Sequence, residues 1–212
     1  MSLLHISGGI MEQYFTQKPT TEKEIYKFDW NIGTERFYFY TSNSVFSKSG
    51  MDFGSMLLVE TVIKENGTFE GSILDLGCGY GPIGVILAKF LKKSSVKMSD
   101  VNERALELCF MNAKENKTEN RVSVIKSQAF ENISESFDMI VTNPPIRAGK
   151  DVVFSFYEGA YEHLKKGGKL YVVVQKKQGA PSTRTKLESL FGNCEISDKK
   201  SGYFVFRAEK LQ

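Results

Sequence analysis

Long apolar runs are missing from this 212-residue chain, and no stretch approaches the roughly 20 consecutive apolar residues of a membrane-spanning helix. The first residues also lack the basic region, apolar stretch and small-residue cleavage site of a secretory leader. Cysteine is scarce. The three present, Cys78, Cys109 and Cys194, are odd in number and show neither disulfide nor metal spacing. That argues against a disulfide scaffold and against a metal centre, and it favours a reduced, cytoplasmic compartment. Internal repeats and low-complexity tracts are absent as well. A strong excess of one charge is also lacking, because the net formal charge is only +3.

What remains is the composition of one globular domain with a real core, 41% hydrophobic and 12% aromatic. Residues 1–10 precede a second methionine, Met11, and read as an upstream start or an added leader outside the fold. Residues 11–70 read as an N-terminal appendage packed on a main domain spanning 71–212. The modest net charge is unevenly placed, with 11 Lys/Arg against 4 Asp/Glu in residues 163–212. Lys176, Lys177, Lys199 and Lys200 contribute to that excess, which is either a solvated surface or an electrostatic footprint for nucleic acid.

Periodicity gives a coarse chain of elements. Ile25–Trp30 and Arg36–Tyr40 read as strands around a turn at Asn31–Thr34, and Ser44–Ser47 as a loop. Asp52 predicts the N-cap of a helix reaching about Lys64, with Met56, Leu57, Val59, Glu60 and Ile63 on its apolar side. From residue 73 strand and helix patterns alternate: strands near 95–98, 121–125, 137–141 and 170–174, helices near 83–90, 103–114, 151–164 and 181–191. The chain closes on an antiparallel hairpin around Lys199–Gly202. Repeated βα units predict an α/β, Rossmann-like architecture, a mainly parallel sheet covered by helices on both faces.

The stretch Ile73-Leu-Asp-Leu-Gly-Cys-Gly-Tyr-Gly-Pro-Ile-Gly84 organises the rest. An apolar strand breaks into alternating glycines, and Pro82 suits the first position of the helix that follows. Gly77, Gly79 and Gly81 let a ligand lie against the backbone, near a helix N-terminus with unpaired N–H groups. Gly79-x-Gly81-x-x-Gly84 satisfies the dinucleotide fingerprint, with Asp100 at a suitable distance, but the pattern alone is weak. The register is more telling, because Asp75 lies in the strand end two residues before the first glycine. A second informative stretch, Asn143-Pro144-Pro145-Ile146-Arg147-Ala-Gly-Lys150, follows a strand at the same carboxyl edge. Proline has no N–H to offer, and Pro144 holds Asn143 extended. A stiff corner results, where the Asn143 amide oxygen and the Pro144 carbonyl can accept from one exocyclic NH₂. An ordinary proline loop is the plain alternative.

These motifs resemble class I S-adenosylmethionine (SAM) methyltransferases, and more narrowly the RsmC-like small-domain family of ribosomal small-subunit guanine-N2 methyltransferases. The resemblance runs from about Glu24 to Lys210. It rests on Val45-Phe-Ser47, Asp52-x-Gly-Ser55, the glycine stretch, Asp100-Val-Asn102, the Asn143–Lys150 run and Gly202–Ala208. It implies a seven-stranded sheet ending in the antiparallel hairpin, SAM as cofactor, and ribosomal RNA or a ribosomal particle as partner, with no membrane and no metal. Asp75, Gly77, Cys78, Gly79 and Gly81 would then hold the methionine part, where a carboxylate can face an ammonium group. Asp100 would hold the ribose, although a helix N-cap is its plain alternative, and Val101 would lie against the adenine. Gln128 and Ala129 stand where the class often has an acidic residue, so Gln128 can accept from the adenine amino group without supplying charge. Asn143, Pro144 and Pro145 would hold the target amino group.

Ile146 departs from the Tyr or Phe common in related amino methyltransferases, which removes a stacking partner for a flipped base. Phe46 is the candidate replacement, and Arg147 and Lys150 are candidates for RNA phosphate or plain surface charge. Longer family members carry an N-terminal methyltransferase-like half with no counterpart in these residues. Three rivals stay open: adenine-N6 or protein-glutamine methylation, a non-catalytic RNA-binding domain, and a nicotinamide oxidoreductase.

Overall fold

The computed structural model describes residues 4–6, 24–42 and 50–212. Ten strands and five α-helices follow one another there. They are β1 (Leu4–Ile6), β2 (Ile25–Ile32), β3 (Glu35–Ser42), α1 (Phe53–Glu65), β4 (Glu70–Leu76), α2 (Pro82–Phe90), β5 (Lys93–Asp100), α3 (Glu103–Glu115), β6 (Val122–Lys126), β7 (Phe137–Thr142), α4 (Lys150–His163), β8 (Leu164–Gln175), α5 (Ala180–Phe191), β9 (Glu195–Lys200) and β10 (Tyr203–Glu209). The loop read at Ser44–Ser47, and Phe46 with it, lies outside the described residues.

The main sheet has seven strands in the order β6-β5-β4-β7-β8-β10-β9. Strands β4 to β8 pair in parallel, whereas β10 runs antiparallel to both β8 and β9. The chain leaves β4 toward one edge and returns to build toward the other from β7. The switch point therefore lies between β4 and β7, where open α/β sheets form their ligand crevice. Alternation along each strand fills both faces. Ile73, Met139, Val141, Tyr171, Val173 and Val205 join one buried cluster with residues of α1, α2 and α3. Leu74, Ile140, Leu170, Val172 and Phe206 join the other with residues of α4 and α5. Continuous apolar strands arise because neither face meets water.

Three local features go beyond the sequence reading, and each has a physical cause. Helix α1 buries Leu58, Thr61 and Val62 besides Leu57 and Val59, while Glu60 is exposed; the helix is enclosed by α2 and β8, so a single apolar stripe misjudges it. Helix α4 ends at His163, and the Lys165–Gly168 run that follows it continues inside the next strand. It is an irregularity inside β8, held because Gly167 N donates to Lys210 O and Lys210 N donates to Gly168 O, at 2.7 and 2.9 Å. On α3 the buried side includes Asn112 as well as Ala105, Leu108, Cys109 and Ala113.

Asn112 on α3 and Asn116 at its C-cap, one turn apart, fasten the β2–β3 hairpin to the main domain. Asn112 accepts from Tyr40 N at 2.7 Å and donates to Tyr40 O at 3.0 Å. Asn116 does the same to Tyr38, at 3.0 and 2.7 Å. Two side-chain amides thus serve one edge of β3 as a neighbouring strand would.

Candidate functional site

The glycine turn is set by backbone bonds to the neighbouring strand. Gly77 N and Cys78 N both donate to Ser99 O at 2.9 Å, and Gly79 N donates to the Asp100 carboxylate at 2.9 Å. Gly79 has φ +56°, and a Cβ there would meet nothing within 4 Å, so its vacant side opens on free space. Gly81 is the left-handed N-cap of α2, and a Cβ on it would come within 2.9 Å of Cys109 Sγ. Beneath the turn the sulfurs of Cys78 and Cys109 lie 3.6 Å apart, and Cys109 Sγ donates to Gly79 O at 3.0 Å. Burial pushes both thiols up, so they pack as small apolar groups.

Asp75 is fully buried at the end of β4, between Met98 and Val141 of the neighbouring strands. Its Oδ2 accepts from Gly84 N at 2.8 Å, which serves a first-turn N–H of α2 that the side-chain-free cap Gly81 cannot reach. Its Oδ1 has no partner among the described residues. Burial, opposed by the Gly84 N–H and reinforced by the Asp100 charge, pushes this carboxyl up to about 7.

Asp100 bonds the backbone on both sides. Besides Gly79 N, it accepts from Asn102 N at 2.9 Å, while Asn102 itself caps α3 by accepting from Arg104 N at 3.1 Å. The N-cap alternative for Asp100 therefore gives way to Asn102, and Asp100 pins the glycine turn. Val101 stands 57% exposed beside it, a large apolar group facing water. The turn after β6 is drawn to the same edge because Ser127 N donates to Asp100 O at 3.0 Å. Gln128 is exposed there, and Ala129 takes a left-handed φ of 47°.

Across the switch point, Thr142 Oγ1 donates to Leu76 O at 2.8 Å and ties the ends of β7 and β4 together. Asn143 follows. Its Nδ2 donates to Ser55 Oγ at 2.9 Å and to Asp52 Oδ1 at 3.2 Å, both from the first turn of α1. Pro145, at φ −74° and ψ 78°, makes an inverse γ-turn in which Ile146 N donates to Pro144 O at 2.8 Å. One lone pair of that carbonyl remains available. Pro144 is buried and Pro145 exposed, which keeps the corner stiff and its outer side open. Ile146 is half-buried, and Arg147 and Lys150 are exposed just beyond.

Several residues of this edge escaped the sequence reading: Ser55 as a partner of Asn143, Thr142 as the tie between strands, and Asn112, which also donates to Tyr80 O in the glycine turn at 2.8 Å. The half-buried rings of Phe53 and Tyr203, 5.5 Å apart, stand next to Gly54 on the same edge. The signal for Asn112 was an amide on the apolar side of α3. For Ser55 and Thr142 no local signal exists.

An orphaned buried carboxylate oxygen and a glycine turn open on its Cβ side fit the methionine end of SAM. The glycine turn and the Asn-Pro-Pro corner flank one parallel-sheet crevice, and together they define a SAM-dependent methyltransferase. The chain belongs to the methyltransferase small domain family, whose pattern it matches over residues 36–207. It is 45% identical over 202 residues to "Uncharacterized protein YbxB" of Bacillus subtilis (strain 168), covering 94% of this chain and 99% of that protein. It is 30% identical over 206 residues to "Ribosomal RNA small subunit methyltransferase C" of Erwinia tasmaniensis (strain DSM 17950), covering 95% of this chain but only 57% of that one. Among solved structures it resembles "T. Thermophilus 16S rRNA N2 G1207 methyltransferase (RsmC) in complex with AdoMet and Guanosine". The TM-score is 0.80 at 24% identity, over 99% of this chain and 58% of that one. The chain thus spans little more than half the length of these ribosomal RNA methyltransferases. No helix of the described residues is long and apolar enough to cross a membrane.

Proposed function

We propose that this chain methylates the exocyclic N2 of a guanine in small-subunit ribosomal RNA. The observation that carries the reading is the Asn143-Pro144 corner, placed across the switch point from the glycine turn with carbonyl acceptors at its edge. Asn143 Oδ1 and Pro144 O hold the two amino hydrogens, drawing the nitrogen lone pair out of ring conjugation. When bound, SAM supplies a methyl group on a sulfonium, already activated for transfer. Positioning then does most of the catalysis, and the surplus amino proton passes to water without a dedicated base. Asp75 holds the ammonium end, the three glycines lie along the methionine backbone, Asp100 takes the ribose, and Val101, Gln128 and Ala129 border the adenine.

Charge at this edge supports an RNA partner. Tyr203 pairs with both Gln175 and Lys200, and Lys176 N donates to Gly202 O at 2.7 Å. Lys176, Lys177, Lys199 and Lys200 are thereby gathered where β8 ends, one strand over from Asn143. All four are exposed, and among the described residues none forms an ion pair. Some other surface cations are paired, such as Lys165 with Asp138 and Arg184 with Glu188, both at 2.8 Å. Unpaired lysines beside a pocket for an amino group suit a polyanion carrying bases. The same match to small-subunit ribosomal RNA methyltransferases favours guanine N2 over other amino nitrogens. The target base must be unpaired or flipped to reach the corner.

Incubation of ribosomal particles from a strain lacking this protein with labelled SAM, followed by nucleoside analysis, tests the reading. Label in N2-methylguanosine is the expected result. Label confined to protein glutamine, or to N6-methyladenosine, overturns it.

A further inference from the structure

An asparagine amide has two ends of nearly equal shape, and only the carbonyl end accepts a hydrogen bond. Turned over, Asn143 would offer NH₂ to an amino group and repel it. What fixes the amide lies on another element. The Asp52 carboxylate accepts only, so the amide oxygen cannot face it, and Nδ2 lies 3.2 Å from Asp52 Oδ1. Ser55 Oγ takes the same amide nitrogen at 2.9 Å. Asp52 is itself held, because its Oδ1 caps α1 by accepting from Ser55 N at 3.0 Å. Ser55 is buried, at 4% exposure. Gly54 between them sits in tight space: a Cβ there would come within 3.0 Å of the Tyr203 ring and 3.1 Å of Asp52 Oδ1. Asp52 and Ser55 thus serve the clamp, and Gly54 between them admits the Tyr203 ring alongside.

We propose that Asp52 and Ser55 are positioning residues that hold the Asn143 amide one way round, with its oxygen toward the substrate. The proposal rests on the reading of Asn143 as the acceptor for the target amino group. It assigns the first turn of α1, sequence-distant from both cofactor and corner, a direct part in catalytic geometry. The Asp52 charge also helps, after burial, to push the Tyr80 phenol of the glycine turn up.

The variants Asp52→Asn and Ser55→Ala test it in the full chain. Asn at 52 keeps the capping oxygen but puts an NH₂ in place of Oδ2, which lies 3.5 Å from Asn143 Nδ2, and Ala at 55 removes one acceptor of Nδ2. Two readouts apply. In NMR, the Asn143 side-chain NH₂, assigned by its loss in Asn143→Asp, is expected to exchange with solvent about tenfold or more faster in each variant. With ribosomal particles, kcat is expected to fall about ten- to a hundred-fold while KM, SAM affinity and Tm stay near the parental values. Ser55→Thr, which keeps the hydroxyl, is expected to restore most of the rate. Unchanged Asn143 exchange in both variants overturns the clamp. Lost SAM affinity or a lowered Tm with kcat intact overturns it too, since Asp52 would then be only a cap. Full activity of Asn143→Ala overturns instead the reading of Asn143 on which the clamp rests, and the exchange measurement separates the two failures.

Discussion

The two halves of the site are held by different means. The glycine turn is fixed by its own backbone: Gly77, Cys78 and Gly79 all bond the end of β5, 20-odd residues away in the next βα unit. The Asn-Pro-Pro corner is stiffened by its prolines, but the Asn143 amide bonds Asp52 and Ser55 at the start of α1, 88 to 91 residues earlier. A cofactor shared by a whole class can be held by a local backbone pattern. On the reading proposed above, a substrate amino group needs one side chain in one orientation, and a distant element supplies it. Damage to either half should therefore leave the other working.

The largest effect is expected at the corner. Asn143→Ala should lower methyl transfer about a hundred- to a thousand-fold, the usual cost of removing one preorganised polar group at a reacting centre. SAM affinity measured by calorimetry should not change. Loss of SAM binding in that variant would mean the two halves are not separable.

Next comes the converse. Asp100→Asn keeps one acceptor for the backbone but turns an NH₂ toward the other donor or the ribose. SAM affinity should fall about ten- to a hundred-fold, as for loss of a charge-assisted hydrogen bond. Parental affinity by calorimetry would remove Asp100 from the cofactor site.

Replacing Lys176, Lys177, Lys199 and Lys200 together by Ala sharpens the division. The salt dependence of RNA affinity should flatten, with the slope of log K against log salt smaller by about 3, and SAM affinity should hold. An unchanged slope in filter binding would show that these lysines do not meet phosphate.

The smallest signal belongs to Asp75. Its carboxyl is raised from 3.8 to about 7, so the fold holds the proton more tightly than the unfolded chain does. Its contribution to ligand-free stability is full below about 4, declines as pH rises, and is gone above about 7. An ammonium group beside Asp75 would favour the ionised form, so SAM binding at pH 6 should release up to about one proton. Calorimetry in buffers of different ionisation heat should detect that release and find none in Asp75→Asn. Equal proton release in both would place the ammonium elsewhere.

Much of the molecule was legible in the sequence because the rules that place it are local. Alternating strands and helices, the Asp52 and Asn102 caps, Pro82 at a helix start and the positive-φ glycines follow from steric and capping rules within a few residues. Hence the layered α/β fold, the carboxyl-edge location of both motifs and the lysine excess of residues 163–212 could be read directly. Enclosure could not be read in the same way. Helix α1 carries too little contrast between its sides to reveal that it is buried nearly all round, and the two lysines and two glycines that follow α4 give no sign that they bulge inside β8 and bond Lys210.

The sequence by itself determined the βα order, the glycine turn and the stiff proline corner, because each is specified by residues adjacent in the chain. Tertiary structure alone decided that Asp75 keeps one oxygen without a partner, that Asn112 joins the β2–β3 hairpin to the glycine turn, and that Asp52 and Ser55 orient Asn143. The physical reason is that a hydrogen bond acts over about 3 Å of space and is blind to distance along the chain. Only folding shows which donors and acceptors meet.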